Sequence, residues 1–380
     1  MDINFHYFAV KTIAIKAGFE EDEAQLIAAY SQFVDDYNLW GNYGFKVIPD
    51  YADSLKTGKK VGNHWIFYTV TTGFESAIDM ARLSLEKYQR EVVVPYHFIP
   101  VKNLKDLSGK REDYRTKPAT IDGSEEHLAS DLLLDAMQKC MDPSRKQEHR
   151  YDLIRLGVLL HVFADTYAHD GFSGFHGWEN FCYVNQIMNP RTGEIINDDH
   201  DPDYYAKVYA VGHAEAGHAP DMTYADIDFS YATDEKQKNK KQYKGKKSRN
   251  NKVTFLYPAY QIFCVLYKIR NGTDPTKEQW DDVSKKLEYG FEQVGSSFDE
   301  LAHAWRFITN HKINYEYSKD DLWKNQLKSS ILCEDDAPLT AEEGENDEDA
   351  RNVLGLYDTA SDDFFHFNLI AKEIRDAVIE

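Results

Sequence analysis

The stretch from Leu153 to Gly177, LIRLGVLLHVFADTYAHDGFSGFHG, constrains this chain more than any other. His161, Asp165 and His169 follow one another at intervals of four residues. At 100° per residue, such positions share an arc about 80° wide on one helix face, with successive Cβ atoms roughly 6 Å apart. Leu156, Val158, Leu159, Leu160, Val162, Phe163 and Ala164 surround them with apolar side chains almost all round. A helix of that kind is buried. An ionised carboxylate buried without a partner costs several kcal/mol, so Asp165 requires a cation. Two imidazoles on the same face point to a metal ion. A polar cluster at a helix–helix contact is the other reading of the same spacing.

Further imidazoles and carboxylates extend the pattern. His6 lies in a helical stretch over 4–17, where Phe5, Phe8, Ala9, Ile13 and Ala14 recur with helical spacing and Gly18 ends the run. Asp35 and Asp36 close a second helix over 20–37 that opens with Glu20, Glu21, Asp22 and Glu23. The two neighbours point about 100° apart, so one of them faces a shared site and the other serves as a cap or supporting partner. His97 sits in PYHFIP, and His213, His218 and Asp221 sit in GHAEAGHAPD. Imidazole and carboxylate donors suit zinc, and the lack of cysteine among them favours a catalytic over a structural ion.

The rest of the chain reads as mostly helical. Helices are expected at 74–89, 125–140, 150–170, 203–217, 255–270, 276–294, 297–311, 319–332 and 359–378, with Pro258 near the start of its element. Segments 64–72 and 92–99 are β-rich in composition and expected to be short and extended. The expected fold is all-α: a multi-helix bundle with a buried metal cluster and a few short extended segments. Residues 1–222 form its metal-binding core, 223–253 a flexible Lys-rich insertion, and 254–380 further helices on the same domain, with an acidic linker at 334–350. From Asp234 to Lys252 the insertion carries nine basic and two acidic residues. Hydrophobic content of 42% fills a full core, and a net charge of −20 argues against a general nucleic-acid binder. The four cysteines have no CxxC spacing and read as core residues or free thiols. The opening MDINFHYFAVKTIAIKAGF shows no basic start followed by an apolar run, and no apolar run approaches the ~18 residues that span a bilayer. The expected location is the cytoplasm.

The order of these elements, over roughly residues 1–222, resembles the α-helical zinc-dependent phospholipase C and single-strand-specific nuclease superfamily. DINFHYFAV, AGFEEDEAQLIAAYSQFVDD and HVFADTYAHDGFSG also resemble an uncharacterised bacterial family of that fold. The resemblance implies two or three zinc ions held by His6, Asp35 (or Asp36), His97, His161, Asp165, His169 and the His213, His218 and Asp221 region. In that superfamily the chain begins with a Trp whose amine and carbonyl bind zinc; here the Met1 amine or the Asp2 carboxylate would stand in. Four residues after His213 the family's carboxylate is replaced by Gly217. Asp165 would bridge two ions, and Asp35 or Asp36 would orient or deprotonate the attacking water. The implied activity is phospholipase C-like hydrolysis of a phosphodiester. A nuclease or nucleotidase of the same fold is the first alternative, and a non-catalytic, metal-stabilised helical interaction module the second. The Lys-rich 236–252 loop would make a peripheral contact with an anionic membrane, or attract nucleic acid.

Overall fold

The computed structural model describes residues 1–39, 41–73, 82–195, 210–237, 240–328 and 353–380. A π-helical turn, Asn4–Ala9, runs into α1 (Val10–Ala17), which Gly18 ends in left-handed backbone at φ 101°. α2 (Glu21–Asp36) opens with a capping box between Glu20 and Glu23. Residues 86–96 form α3, short α turns at Glu86–Tyr88 and Val94–Tyr96 around π-helical Gln89–Val93. Then come α4 (Leu128–Met141), α5 (His149–Ala168), α6 (Asn251–Asn271), α7 (Lys277–Phe291), α8 (Phe298–Ile308), α9 (Lys319–Leu322) and α10 (Asp362–Ile379).

The helix α5 is the axis of the molecule. It is buried from Asp152 to Ala168, because α2, α4, α6 and α10 all pack around it. Each Leu or Val fully buried on it contributes about 1.5–3 kcal/mol. That apolar sleeve offsets the several kcal/mol that an interior Asp165 costs. Gly157 marks the crossing with α2, since a Cβ there would lie 2.4 Å from the Ile27 carbonyl oxygen. One turn further along both helices, His161 Nδ1 reaches the Ser31 carbonyl at 2.9 Å.

Three sheets flank this core, so the chain is a mixed α and β protein and the all-α expectation is overturned. The first sheet is ordered β2–β3–β1–β9, from β1 (Asn42–Phe45), β2 (Lys56–Val61), β3 (His64–Tyr68) and β9 (Val353–Tyr357), with only β1 and β9 parallel. The second is an antiparallel β5–β4–β6–β7, from β4 (Cys182–Asn189), β5 (Glu194–Ile195), β6 (Asp226–Tyr231) and β7 (Gly245–Asn250). A two-stranded pair joins β8 (Leu327–Lys328) to β10 (Thr359–Ala360).

The physical reasons for the misreading are local. In β6, Ile227 and Phe229 are buried while Asp226, Asp228 and Ser230 are more exposed, a period of two that announces a strand. The partner β7, GKKSRN, has no apolar residue and is a strand because β6 offers it an edge in register from Asp226↔Asn250 to Tyr231↔Gly245. Segment 223–253, expected as a flexible insertion, thus holds a paired hairpin. Residues 92–99, expected to be extended, are helical to Tyr96, with His97 as the C-cap. Val92, Val93 and Val94 are each at most 2% exposed, and burial overrides their β preference. Pro258 lies well inside α6 instead of at its start. Residues 210–217 hold only the short 3-10 turn Ala214–Ala216 where a helix over 203–217 is expected. The remainder of that element, residues 74–81 of the expected 74–89 helix, residues 329–332 of the expected 319–332 helix and the acidic 334–350 linker lie outside the described residues. No helix among the described residues is long and apolar enough to cross a membrane.

Two expected outcomes follow from this packing. Gly157→Ala forces α2 and α5 apart and costs about 1–3 kcal/mol, read as a lower denaturant midpoint. The second concerns His127, which caps α4 by accepting from Ala129 N at 3.1 Å while its Nε2 donates to the Lys117 carbonyl at 2.9 Å. Burial lowers its pKa from 6.5 to about 4. Its contribution is therefore complete above pH 6.5 and lost as the pH falls towards 4, at up to about 1.4 kcal/mol per pH unit. His127→Asn, which keeps a capping oxygen, gives a shallower loss of stability between pH 6.5 and 4 than the native chain in denaturant melts.

Candidate metal centre

Five elements converge on one interior volume. The π turn before α1 supplies His6, the last turn of α2 supplies Asp35, and the end of α3 supplies His97. The helix α5 supplies His161 and Asp165, with His169 as its C-cap. The loop before β6 supplies His213 and Asp221. π-helical turns sit at or just before two of these donors, His6 and His97, and such turns are over-represented at functional sites.

In the first grouping Asp165 and Asp35 each lie near the same two imidazoles. His97 Nδ1 and His161 Nε2 are 3.4 Å apart. Each lies 3.2 Å from Asp165 Oδ2 and 3.7 Å from Asp35 Oδ1. Four donors around one zinc at its usual bond lengths are separated by roughly 3.3–3.6 Å. The second grouping places His169 Nε2 3.0 Å from Asp221 Oδ1 and His213 Nε2 3.0 Å from Asp221 Oδ2. Asp165 joins the two regions: its Oδ1 lies 3.0 Å from His6 Nε2 and 2.5 Å from the Met1 amine, which in turn is 3.2 Å from Asp221 Oδ1. His6 stacks on His161 with ring centroids 3.8 Å apart, and the donor atoms of His6, Asp35 and His161 also lie within 4.8 Å of one another.

The imidazoles are held from behind. His97 Nε2 meets the Thr72 carbonyl at 2.8 Å, His161 Nδ1 the Ser31 carbonyl at 2.9 Å, His169 Nδ1 the His97 carbonyl at 2.5 Å and His213 Nδ1 the Gly217 carbonyl at 2.8 Å. A carbonyl only accepts, so these nitrogens carry the N–H. When the ring is neutral the other nitrogen presents a lone pair. In each ring that lone pair faces a carboxylate oxygen, an arrangement that repels unless a cation lies between them. Burial holds His6 and His169 below their usual pKa and lowers His161 to about 4, so protons are not the favoured cations there. For His213, burial acts downward but Asp221 wins and raises it. Burial also opposes ionisation of Asp165, yet the Met1 amine and the surrounding imidazoles keep its carboxyl far below the usual range. Asp35 is pushed well above its usual pKa by burial and by Asp165. His6 Nδ1 is buried without a hydrogen-bond partner among the described residues.

The geometry separates the sequence candidates. Asp35 faces the cluster and is 26% exposed, the most open of the donors. Asp36 turns away to the Tyr317 hydroxyl and Gln32. His213 and Asp221 enter the cluster, whereas His218 is exposed in the turn before it and belongs to no donor grouping. Asp2 does not reach the cluster with its side chain: Oδ2 accepts from Thr223 N at 3.1 Å and fixes the chain just beyond Asp221. The supporting carbonyls of Ser31, Thr72 and Gly217 escaped the sequence reading, since a backbone acceptor leaves no mark on residue type. His176 lines a separate open cleft of about 410 Å³ with Gln89, Arg90, Arg111, Tyr114 and Phe175.

Imidazoles and carboxylates gathered from the C-terminal half of one buried helix and from four other segments define a candidate multinuclear cation centre. The chain belongs to DUF6765, a family of unknown function whose pattern it matches over residues 1–380. No curated protein and no solved structure matches it.

In protein loaded with a divalent metal, Asp35→Asn is expected to lower the bound metal by about one equivalent by elemental analysis, because it removes an anionic donor. Asp36→Asn keeps the full complement and costs only about 1 kcal/mol through the weakened Tyr317 bond.

Proposed function

We propose that this chain is a zinc-dependent phosphoric ester hydrolase of phospholipase C type. The observation that carries the reading is the set of imidazole nitrogens that lie 3.0–3.7 Å from carboxylate oxygens of Asp35, Asp165 and Asp221 inside the core. Charge supplies the substrate class. Two divalent ions would exceed the three carboxylates by roughly one positive charge and three ions by roughly three, and a buried excess of that sign favours an anionic ligand. Zinc bound there supplies a water that ionises near pH 7 and a Lewis acid for the phosphoryl oxygens. The residues of the chain then divide the remaining work. Asp165 spans the two regions and fixes their separation, while Asp35, the most open donor, lies where it can accept the proton of the attacking water. His169, His213 and Asp221 hold the far side.

A cytoplasmic location belongs to the same reading, and the three described cysteines, none of them in a disulfide, suit a reducing compartment. The exposed Lys236, Lys241, Lys244 and Lys246 around the β6–β7 turn offer a contact for an anionic membrane.

Purified protein is expected to hydrolyse a generic phosphodiester and to release headgroup from phospholipid vesicles, to lose both activities with chelator, and to regain them with zinc. His161→Ala loses zinc and turnover together. Cleavage of single-stranded DNA without cleavage of vesicles would move the reading to a nuclease. Full zinc occupancy with no phosphoester turned over would leave a metal-stabilised interaction module.

A further inference from the structure

The loop that carries Asp221 has no strand or helix to hold it, yet its carbonyls are fixed one after another. Asn251 Nδ2 donates to Ala219 O at 2.9 Å and to Met222 O at 2.7 Å. Arg249 Nη2 donates to Pro220 O at 2.7 Å. The Asp2 amide donates to Asp221 O at 3.2 Å. Four consecutive acceptors are thereby satisfied from outside the loop.

Arg249 does more. Its Nη1 donates to Tyr167 O at 3.0 Å and to Ala168 O at 2.8 Å, the last carbonyls of α5, and its Nε donates to Asn251 Oδ1 at 2.7 Å. These carbonyls are the ones a helix leaves unpaired at its C-terminus, where the backbone dipole is negative. Asp165 and Asp221 lie at that same end, so carbonyl dipoles and carboxylates of one sign crowd together. Arg249 is only 8% exposed, and its guanidinium donates these bonds to neutral oxygens. A buried cation so placed is held by the helix terminus and in turn draws the Asp221 loop against it.

We propose that Arg249 and Asn251 are positioning residues that set His169 and Asp221 at bonding distance for one cation, so that the Lys-rich segment is part of the centre and not an appendage to it. The inference rests on the metal-centre reading above. Neither residue touches the cation. Both act through the backbone that carries its donors, and removing such outer partners typically weakens metal affinity by about 10–100-fold.

The test is a cobalt titration of the full chain, with cation equivalents counted and visible absorption followed. Arg249→Lys keeps the charge but lacks the fork that spans Tyr167, Ala168 and Pro220. Asn251→Asp keeps the shape and gives Arg249 a carboxylate, but removes both donors to the loop, and it covers the case in which Arg249→Lys does not fold. In each, one equivalent is expected to bind about 10–100-fold more weakly, with its part of the absorption lost, while the equivalent at His97, His161, Asp35 and Asp165 binds as in the native chain. Ser248→Ala, exposed on the same strand, serves as the control and leaves every cobalt equivalent unchanged. Retention of every equivalent at native affinity in both variants would overturn the proposal. So would equal weakening of all equivalents, the mark of a merely structural role. A native chain that takes up no cobalt would instead overturn the metal-centre reading itself.

Discussion

The structure depends on keeping the Asp165 carboxylate ionised in the last turn of a helix that is buried from Asp152 to Ala168. Isolated, that group would cost more than any single packing contact returns. The fold answers on two scales. Locally, Oδ2 faces His97 and His161 while Oδ1 faces His6 and the Met1 amine, so each oxygen addresses a different part of the site. Globally, α2, the π turn before α1 and the end of α3 bring donors and also pack on α5. Ligation and core packing are therefore the same set of contacts, and neither can be altered alone.

The sheets have a role that an all-helical picture hides. The first sheet is tied to the body by α10, where Phe364 and Phe365 meet Phe45 and Phe67 at centroid distances of 5.4–5.8 Å. The second packs Phe229 of β6 against Phe172, and Arg249 reaches from β7 to the last carbonyls of α5. Lys247 on the same strand pairs with Asp170 at 2.5 Å. A segment whose composition suggests solvent alone thus has two of its cations committed to the end of α5.

The legible and illegible parts of the site differ in kind. His161, Asp165 and His169 were readable because helical spacing converts sequence intervals directly into a shared face. The convergence of His6, His97 and the Asp221 loop was readable only through resemblance, since nothing in their spacing says where those segments cross. The choice between Asp35 and Asp36 needed the helix rotation, and the choice between His213 and His218 needed a loop path. The strand β6 carried its own alternation and was hidden by the basic residues beside it, whereas β7 has no signal apart from its partner. Arg249 is one of nine basic residues in its run, and no property of the sequence separates a buried clamp from its solvated neighbours.

The π turn before α1 and the first turns of α1 are wholly buried, and they pack on α6, α7 and α8. Phe5 stacks on Phe291, Phe8 on Trp305, and Thr12 meets the Tyr315 hydroxyl at 2.7 Å. This early segment thus finds its partners far along the chain, and pairing across about three hundred residues is entropically late. The amino-terminal helices must wait with apolar faces uncovered, and the centre closes only after synthesis has passed α8.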